Sequence, residues 1–586
     1  MITNYLNNLF EKELDVNVTV IPSNRPDLCD FQIDEAFKLA KELHKSPFEI
    51  ANDIVEKINN INNVSDILSK IEVVNGFINL TINNEFISKL ITSINKVVKE
   101  VATTSKYGVE EDNKKVVMDY GGPNVAKPLH VGHLRSAIIG ESIKRILTYK
   151  GNEVIGDVHL GDYGLQIGEV IYAIQHDGIK DEDITLEYLN EAYPRMSGIC
   201  KDNEDIKHEC EEITKKMQEG DPEYNRLCDI ICDISINDIK GIYNDLDVSF
   251  DLWESERSAY NYIKDVEDIV TSKGLLYESQ GAMVIDVAEE TDAKEIPPMI
   301  FKKSNGAYLY GTTDMATIYD REKKFQPDSM LYITDDRQAM HFTQVFRASL
   351  KAGITDATLE HKGFGTVNGT DGKPYKTRAG NAPSLRDLLN ETEDIFIERK
   401  EDNKNMSKED LNKIVNAIIK FADLQNNLTN DYIFDINKFS NTAGKTGPYM
   451  QYTVLRLKKI VDQEGFKDEL SSEIYNDVDR DLRLKLLALP SALDKAYENR
   501  MPSYLVDYIY DLANAANNFY QNNHIVGLDD EKKKNDWLYI LNLTVNILTD
   551  MLNIIGIGIP SYMYKLIFIN FYFLRRIYGL FKGIIN

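Results

Sequence analysis

With 586 residues, 43% of them hydrophobic and 27% charged, the chain is too long for one compact domain and too rich in core-forming side chains for wholesale disorder. It carries 94 acidic against 67 basic residues, a net charge of −27, which argues against a general nucleic-acid binder because neutralising phosphates takes Lys and Arg. A partner that docks on local basic patches is still allowed. The start "MITNYLNNLFEKELD" has no basic stretch followed by an apolar core, so no signal peptide is expected.

Residues 1–105 read as a small α+β domain. "VTVIP" is strand-like, "IDEAFKLAKELH" and "PFEIANDIVEKINN" are amphipathic helices, and "DILSKIEVVNGFINLTI" returns to strand. A polar connector, "KYGVEEDNKK", leads to "KVVMDY" (115–120), an apolar run of buried-strand type closed by "GGPN". From Val131, the apolar positions Leu134, Ile138, Ile139, Ile143, Ile146 and Leu147 follow helical spacing until Gly151, and "VIGDVHLGD" is a second strand. Strand, glycine-rich turn, helix, strand is a βαβ unit, the building block of a Rossmann-type doubly wound parallel sheet.

Residues 180–290 are acidic, read as largely helical and free of a chemical motif, and are taken as an insertion. "MLYITDD" (330–336) and "LEHKGFGTVNG" (359–369) resume strand-and-turn character. The α/β domain is expected over 106–405. From 406 to 563 apolar stripes at helical spacing predict an all-α domain. The tail 564–586 is apolar and basic, and its longest uncharged run is much shorter than the roughly 20 residues of a membrane span.

Cys29, Cys200, Cys210, Cys228 and Cys232 suggest no disulfide framework and fit a reducing, cytoplasmic setting. His208 among the last four invites a zinc reading. However, Cys228 and Cys232 are four apart and Cys200 and Cys210 ten apart, so buried thiols on amphipathic helices are expected and no metal.

The stretch "VMDYGGPNVAKPLHVGHLRSAIIGESI" concentrates the chemistry. A helix amino end carries unpaired N–H groups and partial positive charge, and so attracts phosphate. Gly132 admits close approach to the backbone, and His130 and His133 flank it with N–H donors suited to phosphate oxygens whose charge grows in a transition state. Lys127 adds a mobile full charge. By composition, a chance H-x-G-H is expected only about 0.01 times in this chain.

"PNVAKPLHVGHLRS" resembles the HIGH-type nucleotide-binding element of class I aminoacyl-tRNA synthetases, in the form typical of arginyl-tRNA synthetases. "GDYGLQIG", "YLYGTTDMATIYDR", "DDRQAMHFTQVF", "HKGFGTVNGTDGKPYKTRAG", "IKFADLQNN" and "GPYMQY" are similar to that family, in the family's order, and residues 1–105 resemble its additional tRNA-contacting domain. The likeness runs to about Met563. It implies that ATP, with Mg²⁺, activates arginine and that the product is passed to the terminal adenosine of tRNA(Arg). It also implies a cytoplasmic monomer with an α-helical anticodon-binding domain at 406–563, and activation that waits for bound tRNA.

The resemblance further implies roles for particular residues. Phosphate chemistry falls to Lys127, His130 and His133, together with Lys373, Lys376 and Arg378 of "GKPYKTRAG". Thr377 stands where most class I enzymes have a second lysine, so the sequence does not select which of these cations touches pyrophosphate. ATP is expected against His130, Gly132, His133, His361, Gly363, Phe364 and Val367. Arginine is expected against Asp119, Asn124, Tyr310, Asp314 and Gln338, a set of acids, a phenol and amides that suits a guanidinium fork. His341 and Gln344 are either structural or lining, and His159, bordering the same turn as Asp162, is read as structural. Tyr449, Gln451 and Tyr452 are either tRNA-contacting or packing, and "RLKK" (456–459) is one basic patch for tRNA. A non-catalytic synthetase-like binding protein and a class I ligase for cysteine or lysine are the competing expectations.

Overall fold

The computed structural model describes residues 1–100, 107, 109, 111–373, 375, 384–399 and 404–563, with side chains 95–100 outside the description. Its centre is a sheet of four parallel strands in the order β11-β10-β5-β6, formed by β5 (Lys115–Tyr120), β6 (Glu153–Asp157), β10 (Ser329–Asp335) and β11 (Thr358–Phe364). Alternation along β5 sorts its side chains to two faces. Met118 and Tyr120 join Leu331 and Ile333 beneath the helix Val131–Tyr149, through Leu134, Ile138 and Ile139. Val117 joins Met330 and Tyr332 on the other face, beneath the helix Tyr310–Phe325 through Met315 and Ile318. Covering both faces of a parallel sheet is the doubly wound arrangement expected from the βαβ unit.

The amino-terminal residues form a second, antiparallel sheet ordered β1-β2-β4-β3, from β1 (Ile21–Pro22), β2 (Phe31–Ile33), β3 (Leu68–Val74) and β4 (Phe77–Ile82). β3 and β4 are joined at Asn75–Gly76, both at positive φ, which matches the right-handed twist of a tight hairpin. Pro47–Asn59 starts on a capping box between Ser46 and Glu49 with Pro47 in its first turn, so the predicted helix has its start signal in place. A helix the sequence reading passed over, Ile2–Glu13, buries Ile2, Leu6 and Phe10 at a spacing of four. This unit is fastened to the carboxy-terminal helices by Arg480, whose guanidinium meets both carboxylate oxygens of Asp30 at 2.7 Å, and by Arg483, which donates to Ser88 at 3.0 Å.

Beyond the sheet, the helices Leu186–Asp202, Glu204–Gln218 and Pro222–Asp245 take up about half of 180–290. Its end differs: β7 (Leu276–Ser279) and β8 (Ala282–Ile285) form a hairpin extended by β9 (Met299–Lys302). The turn is Gln280–Gly281, both at positive φ, and a two-residue turn of that hand dictates antiparallel pairing whatever the flanking composition. Cys200 and Cys210 lie 3.8 Å apart and Cys228 and Cys232 3.9 Å apart, all four buried in an apolar cluster, while His208 is exposed beside Glu211. The carboxy-terminal part is built from Lys408–Leu424, Gly447–Glu464, Asp477–Leu487, Leu489–Asn499, Ser503–Asn522 and Glu531–Ile554. A two-stranded bridge of β12 (Val367–Asn368) and β13 (Tyr432–Ile433) connects it to the segment after β11. No described helix is long and apolar enough to cross a membrane.

Candidate active site

β5 delivers the chain to the carboxyl edge of the sheet, where Gly121–Asn124 turn it into the helix Val131–Tyr149. At Gly122 a Cβ would stand 2.4 Å from the His159 carbonyl oxygen, so the turn and the segment that follows β6 approach to a distance only glycine permits. Gly121 N–H donates to Ser136 Oγ, and Ser136 donates to the Ile333 carbonyl, which fixes the turn against the end of β10. Val125 N–H donates to the Gly161 carbonyl, and Asn124, exposed at this edge, bridges to Gly161.

His130 is the cap of the helix. Its Nδ1 accepts from Gly132 N–H at 3.0 Å, and His133 Nδ1 accepts from His130 N–H at 3.1 Å. The rings lie 3.9 Å apart, centroid to centroid. With both Nδ1 atoms accepting, the proton of each neutral ring sits on Nε2, so both rings present N–H donors away from the backbone. Burial and the nearby Lys127 charge lower the His130 pKa, and burial, His130 and Lys127 hold His133 down to about 3. Both imidazoles are therefore neutral donors at neutral pH. Lys127 is held by a cation–π contact, its Nζ 4.7 Å from the Tyr193 ring centroid.

The pH dependence of stability follows. Unfolded, a histidine titrates near 6.5, whereas native His133 stays neutral down to about 3. The unfolded chain thus binds the extra proton between those values, and stability falls as pH drops through that window. Comparing urea midpoints of wild type and His133→Gln at neutral pH and near pH 5 is expected to show wild type losing about 2 kcal/mol more than the variant. Equal losses would remove the neutral-ring assignment.

The basic loop starts and ends beside this helix. Gly369 N–H donates to the Lys373 carbonyl and Tyr375 N–H to the Val367 carbonyl. At its far end Ser384 bridges to His130, and Leu385 N–H donates to the Leu129 carbonyl at 2.7 Å. Lys376 and Arg378 lie outside the described residues. Arg135, fully buried, ties the same region together: it donates to the Gly365 carbonyl at 2.6 Å and pairs with Asp423 at 3.0 Å. His361 on β11 stacks on Phe342 and shares a hydrogen bond with Thr334, and burial lowers its pKa. Gly363 lies against Asp336, and Phe364 and Val367 are buried.

The second half of the site lies on the other face of the same edge. The helix Tyr310–Phe325 runs antiparallel to the strand that follows it, so its first turn is level with the carboxyl end of β10. Tyr310 is 64% exposed there, and Asp314 pairs with His341 at 2.5 Å, which makes His341 part of the site. Gln338 is exposed nearby. Gln344 instead donates to the Pro297 carbonyl and is structural.

Glu256, which the sequence reading did not select, sits at the start of the helix Glu256–Tyr260. Burial, with Asp162 and Asp314 as acidic neighbours, pushes its pKa up to about 7. Tyr310 and Tyr260 feel its charge in turn. A partly buried carboxylate pressed by two other acids, and relieved in part by a backbone hydrogen bond from Tyr163, has the character of a seat for a cation.

Asp119 departs from its expected role. Its carboxylate is 2.7 Å from Arg321 Nη2, which also lies 2.6 Å from Asp157, so an internal guanidinium already holds it. Asp119, Asp157 and His159 are the one set of three or more potential metal ligands among the described residues, and Arg321 bonds both of its carboxylates.

Against this geometry stand the similarities to known proteins. The family model described as tRNA synthetases class I (R), catalytic domain, matches residues 96–436. The arginine–tRNA ligase of Alkaliphilus oremlandii is 39% identical over 573 residues, covering 93% of this chain and 95% of the relative. The chain belongs to the arginyl-type class I tRNA synthetases. The arginine–tRNA ligase of Agathobacter rectalis is also 39% identical, over 579 residues, covering 92% of this chain and 95% of the relative. A DALR anticodon binding domain matches residues 450–563 and an arginyl tRNA synthetase N terminal domain residues 1–82. The solved arginyl-tRNA synthetases of Plasmodium falciparum and Thermus thermophilus share the fold, at TM-scores of 0.79 and 0.80. They are 24% and 20% identical, and each alignment spans 96% of this chain and 99% and 100% of theirs.

Within this synthetase chain the three candidate tRNA residues on Gly447–Glu464 divide. Gln451 is fully buried and donates to the carbonyls of Lys413 and Gly558, so it is a cross-link inside the helical part and offers no surface to a nucleic acid. The half-buried Tyr449 hydroxyl donates to Asn514 and accepts from Asn517. Tyr452 is partly exposed, and Lys458 and Lys459 are exposed one to two turns further on.

Proposed function

We propose that this chain is an arginine–tRNA ligase that joins the carboxylate of L-arginine to the α-phosphate of ATP, expels pyrophosphate and transfers the arginyl group to the 3′-terminal adenosine of tRNA(Arg). The observation that carries this reading is a pair of neutral, outward-donating imidazoles on one face of the sheet edge, with a partly buried, cation-seeking acid on the other. The substrate carboxylate is already ionised, so the first step needs no general base. It needs in-line placement and donors for the departing phosphates. Nε2–H of His130 and His133 supplies two donors, Lys127 a charge, and Lys373, Lys376 and Arg378 the opposing cations; Mg²⁺ travels with ATP as part of the substrate. His361 and the backbone of Gly363 to Val367 flank the adenine. Glu256, Asp314, Tyr310, Asn124 and Gln338 hold arginine, and a ribose hydroxyl of the tRNA then attacks the adenylate.

The division into 1–105, 106–405 and 406–563 goes with this reading: the first and last parts hold the tRNA, through Tyr452 and the basic residues at 456–459 among others. The protein is proposed to act as a cytoplasmic monomer without zinc, and to exchange pyrophosphate only when tRNA is bound. Aminoacylation of tRNA with arginine, cysteine and lysine in turn tests the assignment. Arginine alone is expected to be charged, and charging of another amino acid, or of none, removes the reading.

A further inference from the structure

Register places four polar side chains in one line across the sheet. Asp157 on β6 pairs with Asp119 on β5, Asp119 with Tyr332 on β10, and Tyr332 with His361 on β11. In-register residues on neighbouring strands share a face, and it is this face that the helix Tyr310–Phe325 covers. Arg321, 2% exposed, drops from that helix between the two carboxylates, 2.7 Å from Asp119 and 2.6 Å from Asp157, with its guanidinium 5.3 Å from the Tyr332 ring centroid. At about 100° per residue, positions 310, 314 and 321 fall within roughly 40° of one another on the helix. The side chain that reaches the sheet therefore lies on the same stripe as Tyr310 and Asp314.

We propose that Arg321 is a positioning residue for the amino-acid substrate, an inference that rests on the assignment of arginine to this pocket. Apolar contacts through Met315 and Ile318 hold the helix on the sheet but resist rotation and sliding weakly, because dispersion is not directional. A guanidinium between two carboxylates fixed by strand register does resist them. Arg321 thereby sets the height and rotation at which Asp314 and Tyr310 meet the substrate. It also occupies Asp119 and Asp157, so that a substrate guanidinium is drawn to Asp314 and Glu256 and not to the acids of the sheet. Buried ion pairs contribute little net stability, and in several systems they are kept because they specify geometry.

The test uses the full chain. Arg321→Gly is expected to raise the KM for arginine at least about 30-fold while the KM for ATP, and kcat at saturating arginine, stay within about threefold. The truncation leaves room between Asp119 and Asp157, bordered by a small cavity lined by Ser258, Thr317 and Asp320. Millimolar guanidinium is therefore expected to bring the KM for arginine back toward wild type in the variant, whereas in wild type it only competes with arginine. If Arg321→Gly does not fold, Arg321→Lys and Asp119→Asn carry the same test, each with a KM rise for arginine of about three- to tenfold. An unchanged KM for arginine, equal shifts for arginine and ATP, or a folded glycine variant that guanidinium does not restore, overturns the proposal. Wild-type charging of an amino acid other than arginine overturns the functional assignment, which keeps the two failures apart.

Discussion

Replacing His130 with alanine is expected to slow adenylate formation by about 100- to 1,000-fold, the usual loss when one preorganised donor to developing charge is removed. The size follows from how the ring is held. Its Nδ1 caps the helix by accepting from Gly132, its own N–H is taken by His133, and the two rings lie 3.9 Å apart. No reorganisation is needed when pyrophosphate begins to leave, because both Nε2–H groups already project from the helix amino end. Gly132→Ala attacks the same arrangement without deleting a donor. Its Cβ would stand 2.8 Å from His130 Cε1 and 2.9 Å from Nδ1, so the ring must move off its cap. The alanine variant at 132 is expected to lose roughly tenfold or more in the same step, the cost of a donor displaced by a fraction of an ångström. Pyrophosphate exchange in the presence of tRNA measures both. His130→Ala within threefold of wild type, with normal melting, would falsify the phosphate role.

The parts of the molecule legible in the sequence are those whose signal is local. "KVVMDY", the glycine turn and the helical spacing after Val131 each name their structure within a few residues, and β5 and the helix Val131–Tyr149 follow them closely. The residues whose surroundings the sequence left open or hid depend on partners distant in the chain. Asp119 is held by Arg321, 202 positions away, and a carboxylate at a strand end looks the same in sequence whether it awaits a ligand or an internal guanidinium. Gln451 is spent on the carbonyls of Lys413 and Gly558, the second of which is 107 positions away. Glu256 went unnoticed for the opposite reason: one acid among 94, it has no spacing partner, and only the fold presses it against Asp162 and Asp314. The hairpin β7–β8 did have a local sign, "QG" between "LLYES" and "AMVI", which the surrounding helical, acidic composition masked.

Glu256→Gln is expected to raise the KM for arginine roughly 30- to 1,000-fold, since truncating one member of a buried charge pair costs about 2–4 kcal/mol. The pH dependence separates this from a loss of shape. In the free protein, burial and the acids at 162 and 314 hold Glu256 at about 7, so at neutral pH it is part protonated. A substrate guanidinium stays cationic throughout and favours the ionised carboxylate, which pulls that pKa down on binding. Binding therefore releases a proton below pH 7. The KM for arginine is expected to climb as pH falls below 7, approaching about tenfold per unit, and to level off above it. In Glu256→Gln the amide has nothing to titrate, so the KM should be high and nearly flat over the same interval, apart from the smaller contribution of Asp162, whose pKa burial also raises. Steady-state charging at about pH 6, 7 and 8, with ATP and tRNA saturating, decides the matter. A variant that keeps the wild-type slope would place the titrating acid elsewhere and leave the glutamate a structural role at the helix start.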